Sequence, residues 1–370
     1  MFVTTVVASL ACILFGNQAL YPIATGLSAH GEKGQIWAAL QRLHALPSEY
    51  RPAMGLIPGE ALERAIRRAE VHFLNHPKVL VLGQSPVDHF GSTAFREPSR
   101  FFNGYISSST FGDQRELFNE NALANGVPDL VLLGVSDLVL ATTSRSEPPY
   151  EEASASKDDG VGPWYENVDS LLSYPQTKMS FVVLSGMLGK PAVQGDEENT
   201  PFPISFATSP SDTWRNLQDG SRVFRLEEPD GKVNPIPGFV FECISAGRSL
   251  SRPYVQILAD TLDAMRAAGA RVIVFAPPRF PSSITCDNSK DAFLHAMESA
   301  VRPVVEARGF DYCNLTTEAV AIGCDLNDFI NSPHFGRHCA NKVLKRLADG
   351  CAKSYGPLLR SLLRPEVLER

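Results

Sequence analysis

Three short apolar runs constrain this chain more than any other feature: Val79–Leu82, Asp129–Val135 and Arg271–Ala276. A strand with one wet face alternates polar and apolar residues, so an unbroken apolar run marks a strand buried on both faces. Segments of helical character lie between and after them, at Asp113–Asn125, Tyr254–Ala268 and Asp291–Ala307. A further strand is expected at Asp311–Asn314, and a closing helix over Gly336–Tyr355. Strands alternating with helices predict a parallel sheet between helical layers, a three-layer α/β architecture of the flavodoxin-like kind.

Residues upstream and in the middle depart from this rhythm. From Met1 to Gly31 no side chain is charged, and Phe2 to Gly16 is almost wholly apolar. Continued to Ile23, the stretch approaches the roughly 20 residues that a bilayer span needs. Residues 1–30 are therefore expected to be a membrane anchor or signal segment, with a buried N-terminal helix as the alternative. Helices are expected at Ile36–Leu46 and Pro58–Asn75, and residues 31–370 are read as one α/β domain. Within it, Arg145–Pro237 is rich in Pro, Gly, Ser, Asp and Glu, with one helical piece near Tyr165–Met187. Such a stretch reads as an irregular insertion that caps the domain or meets a partner.

Beyond Cys12 lie Cys243, Cys286, Cys313, Cys324, Cys339 and Cys351. An even number fits disulfides in an oxidising compartment, although spacing leaves their pairing open. No pair has zinc-finger spacing, so no metal is expected. With the apolar N-terminus, the cysteines predict an extracytoplasmic body, anchored at the periplasmic or extracellular face or secreted after cleavage. A net charge of -7 without a basic cluster excludes nucleic acid as the main partner.

Chemistry concentrates where the first apolar run ends, in Gly83-Gln84-Ser85-Pro86-Val87-Asp88. Ser85, Pro86 and Asp88 suit the N-cap, N1 and N3 positions of a helix opening near Ser85. A rigid, amide-rich turn after a strand also suits a nucleophile. His334, in Asn331-Ser332-Pro333-His334 just before the closing helix, is the candidate partner. An early serine and a late histidine are how several hydrolase folds order this pair.

In these segments the chain resembles the SGNH hydrolase superfamily, the GDSL-like esterases. The family's Gly-Asp-Ser block is similar to Gly83-Gln84-Ser85. Its Asn-x-Gly loop resembles Asn103 to Thr110, with Ser108 where a glycine stands in the family. Its Gly-x-Asn-Asp block resembles Gly134-Val135-Ser136-Asp137, and its Asp-x-x-His block Asn331-Ser332-Pro333-His334. The apolar N-terminus and relaxed first block are closest in character to membrane-anchored SGNH-like proteins of surface-polysaccharide acylation.

The resemblance implies Ser85 as nucleophile and His334 as base. Backbone N–H groups of Ser85 and Ser108 would face the oxyanion, with the Ser136 hydroxyl in place of the family's amide. Asn331 would hold the third position, where an amide stabilises an imidazolium poorly. Asp328 is the candidate replacement acid. The implied activity is ester chemistry, as esterase or O-acyltransferase, on a cell-surface carbohydrate or an acylated small molecule. A membrane-bound acyltransferase is an implied partner, and no cofactor is implied. The competing expectation is a catalytically silent binding or scaffold subunit of a polysaccharide-modification complex.

Other candidates carry bland readings. Asp88-His89 imitates an acid–base pair, but His89 is expected to face away from Ser85. His334 and His338 have metal-binding spacing without an evident third ligand. The acidic stretch Glu147, Glu151, Glu152, Asp158 and Asp159 is expected to be a solvated loop.

Overall fold

The computed structural model describes residues 60–142, 214–216, 219–224, 231–233, 249–280, 289–331 and 333–369. Segment 1–30, the helices expected at Ile36–Leu46 and Tyr165–Met187, the acidic loop, Cys243 and Cys286 lie outside them. The chain divides into two compact units, residues 1–73 with 158–212 and residues 74–157 with 213–370. Of the first unit, helix α1 (Glu60–Glu70) and a 3₁₀ turn (Val71–Phe73) are described. No described helix is long and apolar enough to cross a membrane.

The second unit is built on five strands: β1 (Val79–Leu82), β2 (Phe101–Asn103), β3 (Leu130–Gly134), β4 (Val272–Ala276) and β5 (Asp311–Asn314). Every pairing among them is parallel, in the order β2-β1-β3-β4-β5. This is the strand order of flavodoxin-like doubly wound folds. Every residue of β1, β3 and β4 is buried, as their unbroken apolar sequences require.

Alternate residues serve different layers. Val79, Val81, Leu130, Leu132, Ile273, Phe275 and Cys313 join one core cluster with Cys339, Ala340, Val343 and Leu344 of helix α5 (Arg337–Arg346). On the opposite parity, Leu82 meets Leu117 of helix α2 (Phe111–Asn125) beside Gly104. Helix α3 (Arg252–Ala267) joins α2 there, and the Thr261 hydroxyl donates to the Phe111 carbonyl at 3.0 Å. Helix α4 (Ser289–Glu306) leads into β5. Two antiparallel two-stranded pieces, Ala141–Thr142 with Ser249–Leu250 and Trp214–Asn216 with Arg222–Phe224, complete the strands described.

Three boundaries differ from expectation for local reasons. Helix α2 starts at Phe111 because Thr110 caps it, in a reciprocal capping box with Asp113. The expected Gly336–Tyr355 helix stops at Arg346 and passes through a wide turn with non-helical Gly350 to Cys351. Cys351 is disulfide-bonded to Cys313 of β5, so the chain turns back to the sheet there. Two further helices follow, Gly356–Leu362 and Pro365–Glu369. The helix expected near Ser85 is a single 3₁₀ turn, Ser85–Val87.

Candidate active site

Strand order places the site. Reading outward from β1, the chain winds one way to β2 and the other way to β3, so the crevice between β1 and β3 is the topological switch point. Folds of this class bind ligands there, at the carboxyl ends of the strands. Ser85 follows β1, Ser136 follows β3, and the loop bearing Ser108 follows β2.

Two glycines let the Ser85 turn settle onto those strand ends. A Cβ on Gly134 would stand 2.3 Å from Val87 Cγ1, and one on Gly83 would stand 2.9 Å from Val87 Cγ2. Gly83 also has φ 151°, a region L side chains rarely adopt. The turn is closed by Val87 N–H donating to the Gln84 carbonyl at 3.0 Å and Asp88 N–H to the Ser85 carbonyl at 3.1 Å. The N-cap is Gln84, without a side-chain cap bond, which corrects the expected Ser85–Asp88 capping box. Both side chains are engaged elsewhere: the Ser85 hydroxyl meets His334, and the Asp88 carboxylate meets His89 and Arg222.

A tight reversal presents the histidine. Phe329 and Phe335 form an isolated antiparallel bridge, Ile330 N–H donates to the His334 carbonyl at 2.9 Å, and His334 N–H reaches the Asn331 carbonyl at 3.3 Å. Aromatic edges anchor this reversal to the Ser85 turn. Phe90 packs edge-on against both Phe275 (5.6 Å) and Phe335 (6.1 Å), and Phe335 packs against Phe329 (6.1 Å). Cys324–Cys339 closes a disulfide loop around the whole segment.

These supports bring Ser85, His334 and Asn331 together. His334 Nε2 lies 2.9 Å from Ser85 Oγ, and His334 Nδ1 lies 2.7 Å from Asn331 Oδ1. The backbone N–H of His334 also donates to Asn331 Oδ1 at 3.2 Å. A backbone N–H can only donate, so the amide must turn its oxygen, not its nitrogen, toward the histidine. Nδ1 must then carry the ring proton, which leaves the Nε2 lone pair facing the Ser85 hydroxyl. That is the tautomer a general base requires.

Ser85 and His334 are both half-buried, so a substrate can reach them. Burial is the strongest influence on His334 and drives its pKa down to about 4. Asp88 pulls it upward, and His89, Arg222 and Arg279 press it further down. The ring is therefore neutral at pH 7, available as a base but a weak one.

The remaining sequence candidates have mixed placements. Ser108 is exposed, with φ 53°, in a turn closed by Ser109 N–H donating to the Ile106 carbonyl at 3.2 Å. A positive φ at the third residue of a turn is ordinarily glycine's position. Gln84 Nε2 donates to the Ser109 carbonyl at 2.8 Å, which ties this loop to the Ser85 turn. Ser136 is buried, and its hydroxyl is 3.5 Å from Asp137 Oδ1.

Asp328 does not reach His334, which corrects its expected role as replacement acid. Its carboxylate bonds His338 Nδ1 at 2.5 Å and Asp325 N–H at 2.8 Å, with Lys342 Nζ 3.8 Å away. It secures the entry to α5 instead. His338, which shares metal-binding spacing with His334, is thereby hydrogen-bonded to Asp328. The described residues contain no cluster suited to a metal ion.

Sequence reading missed two arginines. Arg279, just past β4, is buried and ion-paired with Asp137. Arg222 is buried beside Asp88 at 3.5 Å, with its guanidinium 4.8 Å over the Tyr105 ring. Arg279 carried a weak signal, because it follows Pro277 and Pro278 at the end of an apolar strand. Arg222 carried none, standing in an insertion with no periodic pattern. His89, expected to face away from the site, is buried and bonded to Asp88.

Comparison with protein-family models, with curated proteins and with solved structures finds no match to this chain.

Proposed function

We propose that this protein is an extracytoplasmic SGNH-like serine esterase or O-acyltransferase acting on ester-linked acyl groups of a cell-surface carbohydrate. The observation that carries the proposal is the Ser85–His334–Asn331 relay, with hydrogen-bond distances of 2.9 and 2.7 Å. Its position at the β1/β3 switch point supports the same reading.

In the reaction, His334 Nε2 accepts the Ser85 hydroxyl proton as Oγ attacks the ester carbonyl carbon. The resulting oxyanion faces the Ser85 N–H, which has no acceptor within the turn, and the Ser108 loop. Collapse breaks the bond to the alcohol oxygen, which takes the proton back from Nε2 and leaves acyl-Ser85. Water then releases the acid, or a carbohydrate hydroxyl takes the acyl group. In either case His334 removes the attacking proton and returns it to Ser85. Asn331 fixes the tautomer but adds no negative charge, so the relay is slower than one with a carboxylate.

The disulfides Cys313–Cys351 and Cys324–Cys339 support an oxidising compartment, and the uncharged N-terminal stretch supports membrane attachment. A p-nitrophenyl acetate assay with fluorophosphonate labelling tests the proposal. Turnover and labelling that are lost in Ser85→Ala and His334→Ala are expected. Wild-type protein that neither turns over nor labels, yet binds polymer, would instead indicate a silent binding subunit.

A further inference from the structure

The turn that carries Ser85 also carries a carboxylate that the Ser–His reaction leaves unused. Asp88 is 0% exposed. Its N–H donates to the Ser85 carbonyl, and its own carbonyl accepts from Arg222 N–H at 2.7 Å. Oδ1 is bonded to His89 Nδ1, whereas Oδ2 lies 3.5 Å from the Arg222 guanidinium. Oδ2 has no hydrogen-bond partner among the described residues. Two residues on, Phe90 packs against Phe335, the neighbour of His334. The turn bearing Asp88 is thus held against the reversal bearing the histidine.

A buried carboxylate with an unsatisfied oxygen is costly, and Asp88 does not perform the capping that its position suggested. We propose that Asp88 supplies the negative charge that stabilises the His334 imidazolium as it forms, the role a carboxylate at position 331 would otherwise fill. This inference rests on the Ser85–His334 reading above. Asp88 touches no reacting atom and acts through the field at the ring, as a positioning residue.

The surrounding charges agree with this role. Burial would raise the Asp88 pKa, but His89, Arg222 and His334 together hold it below the usual carboxylate value, so it is ionised at neutral pH. Among the described residues whose charge acts on His334, Asp88 favours the protonated ring, whereas His89, Arg222 and Arg279 oppose it.

The test compares kcat/KM for p-nitrophenyl acetate and fluorophosphonate labelling rates across pH, in the full-length protein. Asp88→Asn should slow both by at least about tenfold at the plateau and move the acid limb to lower pH. Adding Asn331→Asp to that variant should restore the rate, whereas Asp263→Asn, a half-buried charge on α3 ion-paired with Arg308, should change nothing. Wild-type rate and acid limb in Asp88→Asn would overturn the inference while leaving the Ser–His reading intact. An unreactive wild type would overturn that reading itself.

If Asp88→Asn does not fold, Arg222→Gln and Arg279→Gln decide the matter. Each removes a cation facing His334, but only the first also unshields Asp88. It should raise the acid limb further than the second, and equal shifts would overturn the inference.

Discussion

Asn331 Oδ1 accepts two hydrogen bonds from the same residue, one from the His334 backbone N–H at 3.2 Å and one from its Nδ1 at 2.7 Å. The backbone bond decides the orientation of the amide, and the amide decides the tautomer of the ring. An asparagine in a triad usually costs the enzyme both tautomer and charge. Here the first is preserved by geometry, and the second is all that Asn331 itself withholds.

Asn331→Asp is therefore expected to raise kcat/KM, by about tenfold or more, because it adds charge to a relay already correctly aligned. Its acid limb should also move to higher pH, since a new anion favours the protonated ring. Asn331→Ala should do the reverse, slowing the reaction by about 10² through loss of ring orientation. Steady-state kinetics on an activated acetate ester would check both directions.

The pH profile should be unusual for a histidine base. His334 must be neutral to accept the Ser85 proton, and burial, foremost among its influences, holds its pKa near 4. Activity should be level at neutral and mildly acidic pH and fall only as pH drops through about 4. An acid limb near 6.5, the ordinary histidine value, would show that the ring titrates as if solvated.

Substitution at the strand-end glycines should damage the site through packing. Gly134→Ala would put a methyl 2.3 Å from Val87 Cγ1, so the Ser85 turn has to lift away from β3. A loss of about 1–3 kcal/mol in unfolding free energy is expected, with slower Ser85 labelling. Denaturant melts and labelling rates on the same preparation would separate the two effects.

Breaking Cys324–Cys339 should loosen the segment that holds Asn331 and His334. The two cysteines are 15 residues apart, a loop for which chain-entropy estimates give about 3 kcal/mol. The Cys324→Ser/Cys339→Ser double variant should melt earlier and label more slowly. Replacing Cys313 and Cys351 in the same way should lower stability with less effect on labelling, because that bridge ties the wide turn after α5 to β5.

The sequence alone determined the sheet. Unbroken apolar runs at Val79–Leu82, Leu130–Gly134 and Val272–Ala276 have to be buried on both faces, and a chain alternating them with helices has few ways to do so. It also pointed to Ser85 and His334, because each stands in a glycine- or proline-marked loop next to a regular element. Only tertiary structure decided what surrounds them. Asp328 is near His334 in sequence, yet it turns to His338, because the entry to α5 needs its carboxylate there. Asp88 looked like a helix cap and is instead a buried charge paired with His89 and Arg222. Arg222 stands 134 positions further along the chain, and no local pattern records that its strand docks on the Ser85 turn. Periodicity and loop chemistry are local and survive in one dimension. The field at the histidine is a sum over groups that only folding brings together.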